Sequence, residues 1–176
     1  PDTVELDEDL AKRIASEVQK ELVREFDPQY GGFGFDPGSP SRSKFPEPSN
    51  LLFLLHQARN GDAKASQMLN VSLEKMHAGG IWDHVGGGFH RYSVDRFWHI
   101  PHFEKMLYDN GPLLALYAQA AQATGDDNFA RTANATADWM LADMQSDNGG
   151  FFSTRDADSE GEEGLFYLWT PDEVSE

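Results

Sequence analysis

The sequence predicts an all-α fold, a toroid of helical hairpins in two concentric layers with a small β hairpin on its rim. Three observations predict it. Mostly apolar helical segments alternate with amphipathic ones, short turns alternate with long loops, and the tripeptide Gly-Gly-Phe recurs at residues 31–33, 87–89 and 149–151. Its first glycines stand at 31, 87 and 149, intervals of 56 and 62 residues. Each copy follows an amphipathic helix and precedes a mostly apolar one, and units repeated in one structural slot stack side by side. Helices that are apolar nearly all round form an inner layer, and helices with one apolar stripe form an outer layer that faces water.

Taken in order, the first helix runs over about residues 7–26, along the stripe Leu6, Leu10, Ile14, Val18 and Leu22 spaced every four residues, as in an amphipathic helix. Glycine and proline make the following stretch to residue 49 a long loop. "NLLFLLHQARN" is the first inner helix, with Ser49 as its N-cap after Pro48. Past the turn Asn60-Gly61-Asp62, an outer helix sets Ala65, Met68, Leu69, Ser72, Leu73 and Met76 on one face. The pattern then repeats. A long loop opens at Gly79-Gly80, and "PLLALYAQAAQA" (112–123) is the second inner helix with Pro112 in its first turn. After the turn at 124–126 comes an outer helix with the stripe Phe129, Ala133, Ala137, Met140, Leu141 and Met144. The third long loop holds two β-like runs, "GFFSTRD" and "GLFYLWT", which flank the acidic "ADSEGEE" as a hairpin. Thr170, Pro171 and Glu173 read as N-cap, N1 and N3 of a further helix. The chain stops in that first turn, so residues 1–176 are expected to be a single fragment of about half a toroid. Half a toroid leaves inner-helix surface open, which predicts a homo-oligomer.

Composition narrows the function classes. The net charge of -16 disfavours nucleic acid and anionic membrane, which both reward clustered positive charge. With no cysteine, disulfides, thiol catalysis and Cys-ligated metals are excluded. No apolar run reaches the roughly 20 residues of a membrane span. The first ten residues lack the basic and apolar parts of a signal peptide, so a soluble, cytoplasmic protein is expected.

The alternation of short turns and long loops also places the loops. All three long loops join an outer to an inner helix, so they share one rim, at the N-terminal ends of the inner helices. Within that rim lies "GGGFHRYSVDRFWHIPHFEKMLYD" (86–109), which holds His90, His99 and His102 just after His84.

"KFPEP", "GGIWDHVGGGFHRYSVDRFWHIPHFEKMLYDN", "GGFFSTRDADSEGEEGLFYLWT" and "EFDPQYGGFG" together resemble the thioredoxin-domain-containing family that includes spermatogenesis-associated protein 20. The resemblance covers nearly the whole chain. It implies the first half of an (α/α)6 toroid similar to N-acylglucosamine 2-epimerases and six-hairpin glycosidases, and hence a carbohydrate-directed function on a sugar-like small molecule. The thioredoxin-like domain that the family carries is absent from this sequence, so no redox role falls on these residues. The alternative is a non-catalytic scaffold, a ligand- or protein-binding module that accompanies such a domain.

On the epimerase-like reading, His90, His99 and His102 titrate near neutrality and move protons, with Arg91 and Asp95 as orienting groups. Trp82, Trp98 and Tyr108 stack on sugar rings, and Glu104, Asp156 and Asp158 complete the substrate site. Glycoside hydrolysis needs two carboxylates flanking the bond, from among Asp83, Asp95, Glu104, Asp109, Asp156, Asp158 and Glu160. A metal at His99-x2-His102 is not expected, because the spacing matches no established zinc signature and Pro101 intervenes. No cofactor is expected either. Against all of these, Arg91, Arg96, Asp95 and Glu104 can simply anchor the rim through charge-assisted bonds. Geometry separates the readings. A catalytic rim places two or more of the histidines in one solvent-reached pocket, whereas a scaffold buries them in satisfied hydrogen bonds.

Overall fold

Two helical hairpins carry the fold in the computed structural model, which describes residues 7–34, 36, 39 and 42–175. In the first, α2 (Pro48–Arg59) turns back into α3 (Ala63–Ala78). In the second, α4 (Leu107–Thr124) turns back into α5 (Asp127–Trp139). Each turn is set by local chemistry. Gly61 and Gly125 adopt positive φ, and Asp62 and Asp126 cap the helices that follow, accepting from the N–H groups of Ala65 (2.8 Å) and Asn128 (2.7 Å). α2 packs against α4, while α3 and α5 lie outside them, which gives the two layers that the alternation predicts.

Burial follows the predicted faces on α3, where Ala65, Met68, Leu69, Ser72, Leu73 and Met76 are all buried. Elsewhere the structure differs. On the first helix, α1 (Glu8–Glu25), only Leu22 is buried, and Ile14 and Val18 remain exposed; Leu6 lies outside the described residues. α2 starts at Pro48, not at a Ser49 cap. Its N-cap is Glu47, held at a positive φ with no side-chain capping bond. α4 begins five residues earlier than the Pro112 start that composition suggests, because Asn110 finds partners inside the fold that outweigh the helix-breaking pair Gly111-Pro112. On α5 the buried set is Phe129, Thr132, Ala133, Thr136 and Trp139, with Leu141 exposed. That helix widens into a π turn at Met140–Met144, which leaves Leu141 exposed but keeps Met144, the last residue of the predicted stripe, fully buried.

The rim carries three two-stranded ladders. β1 (Tyr92–Ser93) pairs with β2 (Pro101–His102), β3 (Lys105–Met106) with β4 (Thr154–Arg155), and β5 (Asp158–Ser159) with β6 (Glu162–Glu163). The acidic stretch is thus itself the hairpin, turning at Glu160-Gly161, both at positive φ. The two runs expected to flank it do not pair with each other. The first joins β3, and the second winds into a 3-10 turn at Leu165–Tyr167. The last helix, α6 (Pro171–Ser175), opens with the expected capping box, Thr170 N–H donating to Glu173 Oε2 at 2.7 Å. No helix among the described residues is long and apolar enough to cross a membrane.

Candidate functional site

Two loops of the rim are built on one plan. In "DPQYGGF" (27–33) the N–H of Asp27 donates to Gly32 O at 3.0 Å and the N–H of Gly31 to Asp27 O at 2.8 Å. In "DHVGGGF" (83–89) the same bonds run from Asp83 to Gly88 O and from Gly87 to Asp83 O, each at 3.0 Å. Both glycine pairs take positive φ, and the first glycine of each also sits against another helix with no room for a side chain. A Cβ on Gly31 would lie 2.5 Å from Ser72 Cα on α3, and one on Gly87 2.3 Å from Ala135 O on α5. The phenylalanines that follow, Phe33 and Phe89, are buried in the core.

Each of these aspartates holds a buried lysine that lies just before the next inner helix. Lys44 Nζ stands 3.2 Å from Asp27 Oδ2 and above the Trp98 ring. Lys105 Nζ stands 2.7 Å from Asp83 Oδ2, donates to Gly87 O, and faces the rings of Trp139 and Tyr167. Burial alone would raise the pKa of both carboxyl groups, but their cations and backbone donors reverse that. Asp27 falls to about 2 under the hydrogen bonds of Arg96 and Tyr30 N–H and the charge of Lys44. Asp83 is likewise lowered, by Lys105 and the N–H groups of Gly86 and Val85.

A cleft of about 610 Å³ opens beside Asp83. His90 and His99 both line it, with Trp82 and Phe103, and Phe166, Tyr167 and Trp169 form one wall. Phe166 and Trp169 are exposed, so apolar ring faces are available to a ligand. His90 is 2% exposed; its Nδ1 lies 3.1 Å from Phe103 O, and among the described residues no group hydrogen-bonds its Nε2. Burial, helped by the nearby Lys105 charge, lowers its pKa to about 4. The imidazole is therefore neutral at pH 7, with Nδ1–H donating to the carbonyl and a lone pair left on Nε2.

The remaining predicted residues scatter. His102 stands apart from the cleft, bonded to Glu163 Oε1 at 2.7 Å and stacked on Tyr92. Asp95 caps its own loop, accepting from the N–H groups of Phe97, His99 and Ile100. Arg91 pairs with Glu104 at 2.8 Å, beside the exposed Tyr108. Trp98 is fully buried, its Nε1–H donating to Tyr30 O at 2.8 Å, so it offers no open face to a sugar. Trp82 reaches the cleft, but its faces are taken by His77 and His84. Asp156 and Asp158 line a separate groove at the acidic hairpin. Among the described residues, no three His, Asp or Glu side chains converge to hold a metal ion.

Asp27, Lys44, Lys105 and Asn110 were not singled out by sequence reasoning. Asn110 is buried and pairs with both backbone groups of Phe89, accepting from its N–H at 2.6 Å and donating to its O at 2.9 Å. The signal for the aspartates was present: aligning the Gly-Gly-Phe copies puts Asp27 over Asp83, four residues before the first glycine. Asp109, one of the carboxylates weighed for hydrolysis, lies outside this clasp and outside the cleft lining. Burial raises its pKa to about 6 against the pull of Arg91, and its Oδ2 has no partner.

No protein-family model matches the sequence. The chain is 42% identical to spermatogenesis-associated protein 20 of Rattus norvegicus over 94% of its length, and spans 22% of that protein. Among solved structures, cellobiose 2-epimerase from Spirochaeta thermophila aligns with 84% of this chain and 40% of its own, at 23% identity and a TM-score of 0.62. A family 76 glycoside hydrolase (mannosidase) from Bacteroides thetaiotaomicron aligns with 64% of this chain and 30% of its own, at 17% identity and a TM-score of 0.53. Identities this low establish the fold alone, that of an (α/α)6 toroid of which this chain forms part.

Proposed function

We propose that this homologue of spermatogenesis-associated protein 20 forms one side of a carbohydrate-directed, acid–base site of the sugar-epimerase kind. The observation that carries the reading is the cleft in which His90, neutral with an unpartnered Nε2, and His99 meet an aromatic wall. The chemistry follows from that arrangement. His90 Nε2 removes the proton from C2 of an open-chain aldose, leaving an enediolate. A proton delivered to the opposite face from His99 inverts C2, and solvent restores both imidazoles. Among the described residues the one carboxylate lining the cleft is Asp83, already tied to Lys105, which favours proton transfer over the two-carboxylate chemistry of glycoside hydrolysis.

The scaffold reading draws on Asp95, Glu104 and Trp98, whose polar groups are all consumed inside the rim. The two readings part in a titration of the chain with mannose, cellobiose and N-acetylglucosamine, followed by NMR of the imidazole and indole signals. The epimerase-like reading expects saturable shifts at His90, His99 and Trp169, which His90→Asn weakens at least tenfold. Silence at all three signals with every sugar overturns it.

A further inference from the structure

Asp27 and Asp83 hold equivalent places, yet their carboxylates are unequally satisfied. Each accepts, on Oδ1, the N–H groups two and three residues ahead: Gln29 and Tyr30 for Asp27, Val85 and Gly86 for Asp83. Each takes a lysine on Oδ2. Asp27 also receives a forked pair of donors, Arg96 Nε to Oδ2 at 2.7 Å and Arg96 Nη2 to Oδ1 at 3.0 Å. Among the described residues no group takes that part at Asp83. Five donors therefore reach Asp27 and three reach Asp83, while an ionised carboxylate presents about four acceptor positions. Asp27 is sealed at 0% exposure, whereas the Asp83 side chain keeps 12% and lines the cleft.

One sequence difference clears the space. Arg96 lies over the ring of Tyr30, and the residue in step with Tyr30 is Gly86. A Cβ at Gly86 would stand 2.8 Å from Asp83 Oδ2, so its absence leaves that oxygen open to a visitor. The first loop fills its acceptor with the protein's own guanidinium, and the second leaves the same acceptor facing a cavity walled by Phe166 and Trp169.

We propose that Asp83 is a ligand-binding residue whose carboxylate accepts a pair of hydrogen bonds from the vicinal diol of a neutral sugar, in the part that Arg96 plays for Asp27. A vicinal diol and a guanidinium both present two donors side by side, and an uncharged one fits a carboxylate whose charge Lys105 already balances. The inference rests on the carbohydrate reading and adds to it the group that fixes the sugar's orientation.

The test follows the amide signals of Val85 and Gly86, which report on Asp83 through their bonds to Oδ1. Mannose is titrated against 2-deoxyglucose, which lacks the 2-hydroxyl, and against L-arginine as a charged two-donor probe. The expected result is a saturable shift of both amides with mannose, at least fivefold weaker with 2-deoxyglucose. Gly86→Ala, which crowds Oδ2 without removing the ion pair, should weaken mannose binding about tenfold and leave the melting temperature within a few degrees. Asp83→Asn serves as a second variant if it folds. Shifts at His90 and Trp169 without any at Val85 and Gly86 keep the sugar cleft and overturn the role of Asp83. Shifts with L-arginine alone keep the acceptor and overturn the diol. No shift anywhere with any sugar overturns the carbohydrate reading itself.

Discussion

The loop at 27–33 and the loop at 83–89 make the same turn, bury the same phenylalanine and hold the same kind of lysine, but the first borders only a pocket of about 20 Å³ and the second a cleft of about 610 Å³. Asp27 neutralises two cations, Lys44 and Arg96, and is shut off from solvent. Asp83 meets one cation and touches the cleft. The difference teaches that a repeated structural clasp becomes a candidate binding site by losing one internal partner. No new catalytic motif is needed for that, only Tyr30 giving way to Gly86 and an arginine fork left unsupplied.

The largest expected effect comes from breaking the first clasp. Asp27→Asn leaves Lys44 and Arg96 facing a neutral amide in a buried setting, and removing one partner of a buried ion pair costs about 3–5 kcal/mol. Urea unfolding should therefore show a loss of that size, and a clearly smaller one for Asp83→Asn, whose carboxylate is partly solvated. Equal losses would mean that Asp83 is as purely structural as Asp27, and the comparison between the two loops would collapse.

Stability against pH sharpens the same contrast. Asp27 has a folded pKa of about 2, below its ordinary value, so its contribution is present above about pH 4 and disappears as pH falls towards 2. The shift corresponds to about 2 kcal/mol. Between pH 4 and 6.5 other groups act with opposite signs, the lowered histidines His90 and His77 against the raised carboxyls Asp109 and Glu47. His90 is depressed to about 4, so the unfolded chain takes up its proton first and stability grows as pH rises through this window. Asp109 is raised to about 6, so the folded chain keeps its proton longer and stability falls as pH rises. The wild-type profile should be nearly flat there. Asp109→Asn should uncover a rising limb due to His90 and His77, and adding His90→Asn should reduce it; a limb unchanged by that second substitution would show that His90 does not titrate as its burial requires.

Much of this architecture was legible in the sequence. The alternation of apolar and striped helices gave the layers because burial is a property of whole faces, and α3 follows its predicted face at every position. The start of α4 and the exposure of Leu141 after α5 were not legible, since both depend on tertiary partners: Asn110 on the backbone of Phe89, and the π turn on the packing that ends α5. At the site, two histidines of the histidine-rich stretch, His90 and His99, share a cleft. His102, Asp95 and Trp98 fell away because composition cannot tell which side chains the loop needs for its own turns. The aspartate clasp was missed because an ion pair joining residues 22 positions apart, such as Asp83 and Lys105, leaves no local periodicity.

The smallest effect concerns the third Gly-Gly-Phe. Gly149 has a positive φ like Gly31 and Gly87, but a Cβ there would meet nothing within 4 Å, and Phe151 is 44% exposed where Phe33 and Phe89 are buried. The first copy is seated on α3 and the second on α5, while no described helix seats the third. Gly149→Ala in this chain should then cost only the backbone penalty for a non-glycine residue at positive φ, about 1 kcal/mol. Gly31→Ala adds a collision with the backbone of Ser72 and should cost several times more. If Gly149→Ala proves as damaging as Gly31→Ala in the same urea series, the third copy is already packed against something. Its open appearance would then be a poor guide to where the toroid accepts its next helix.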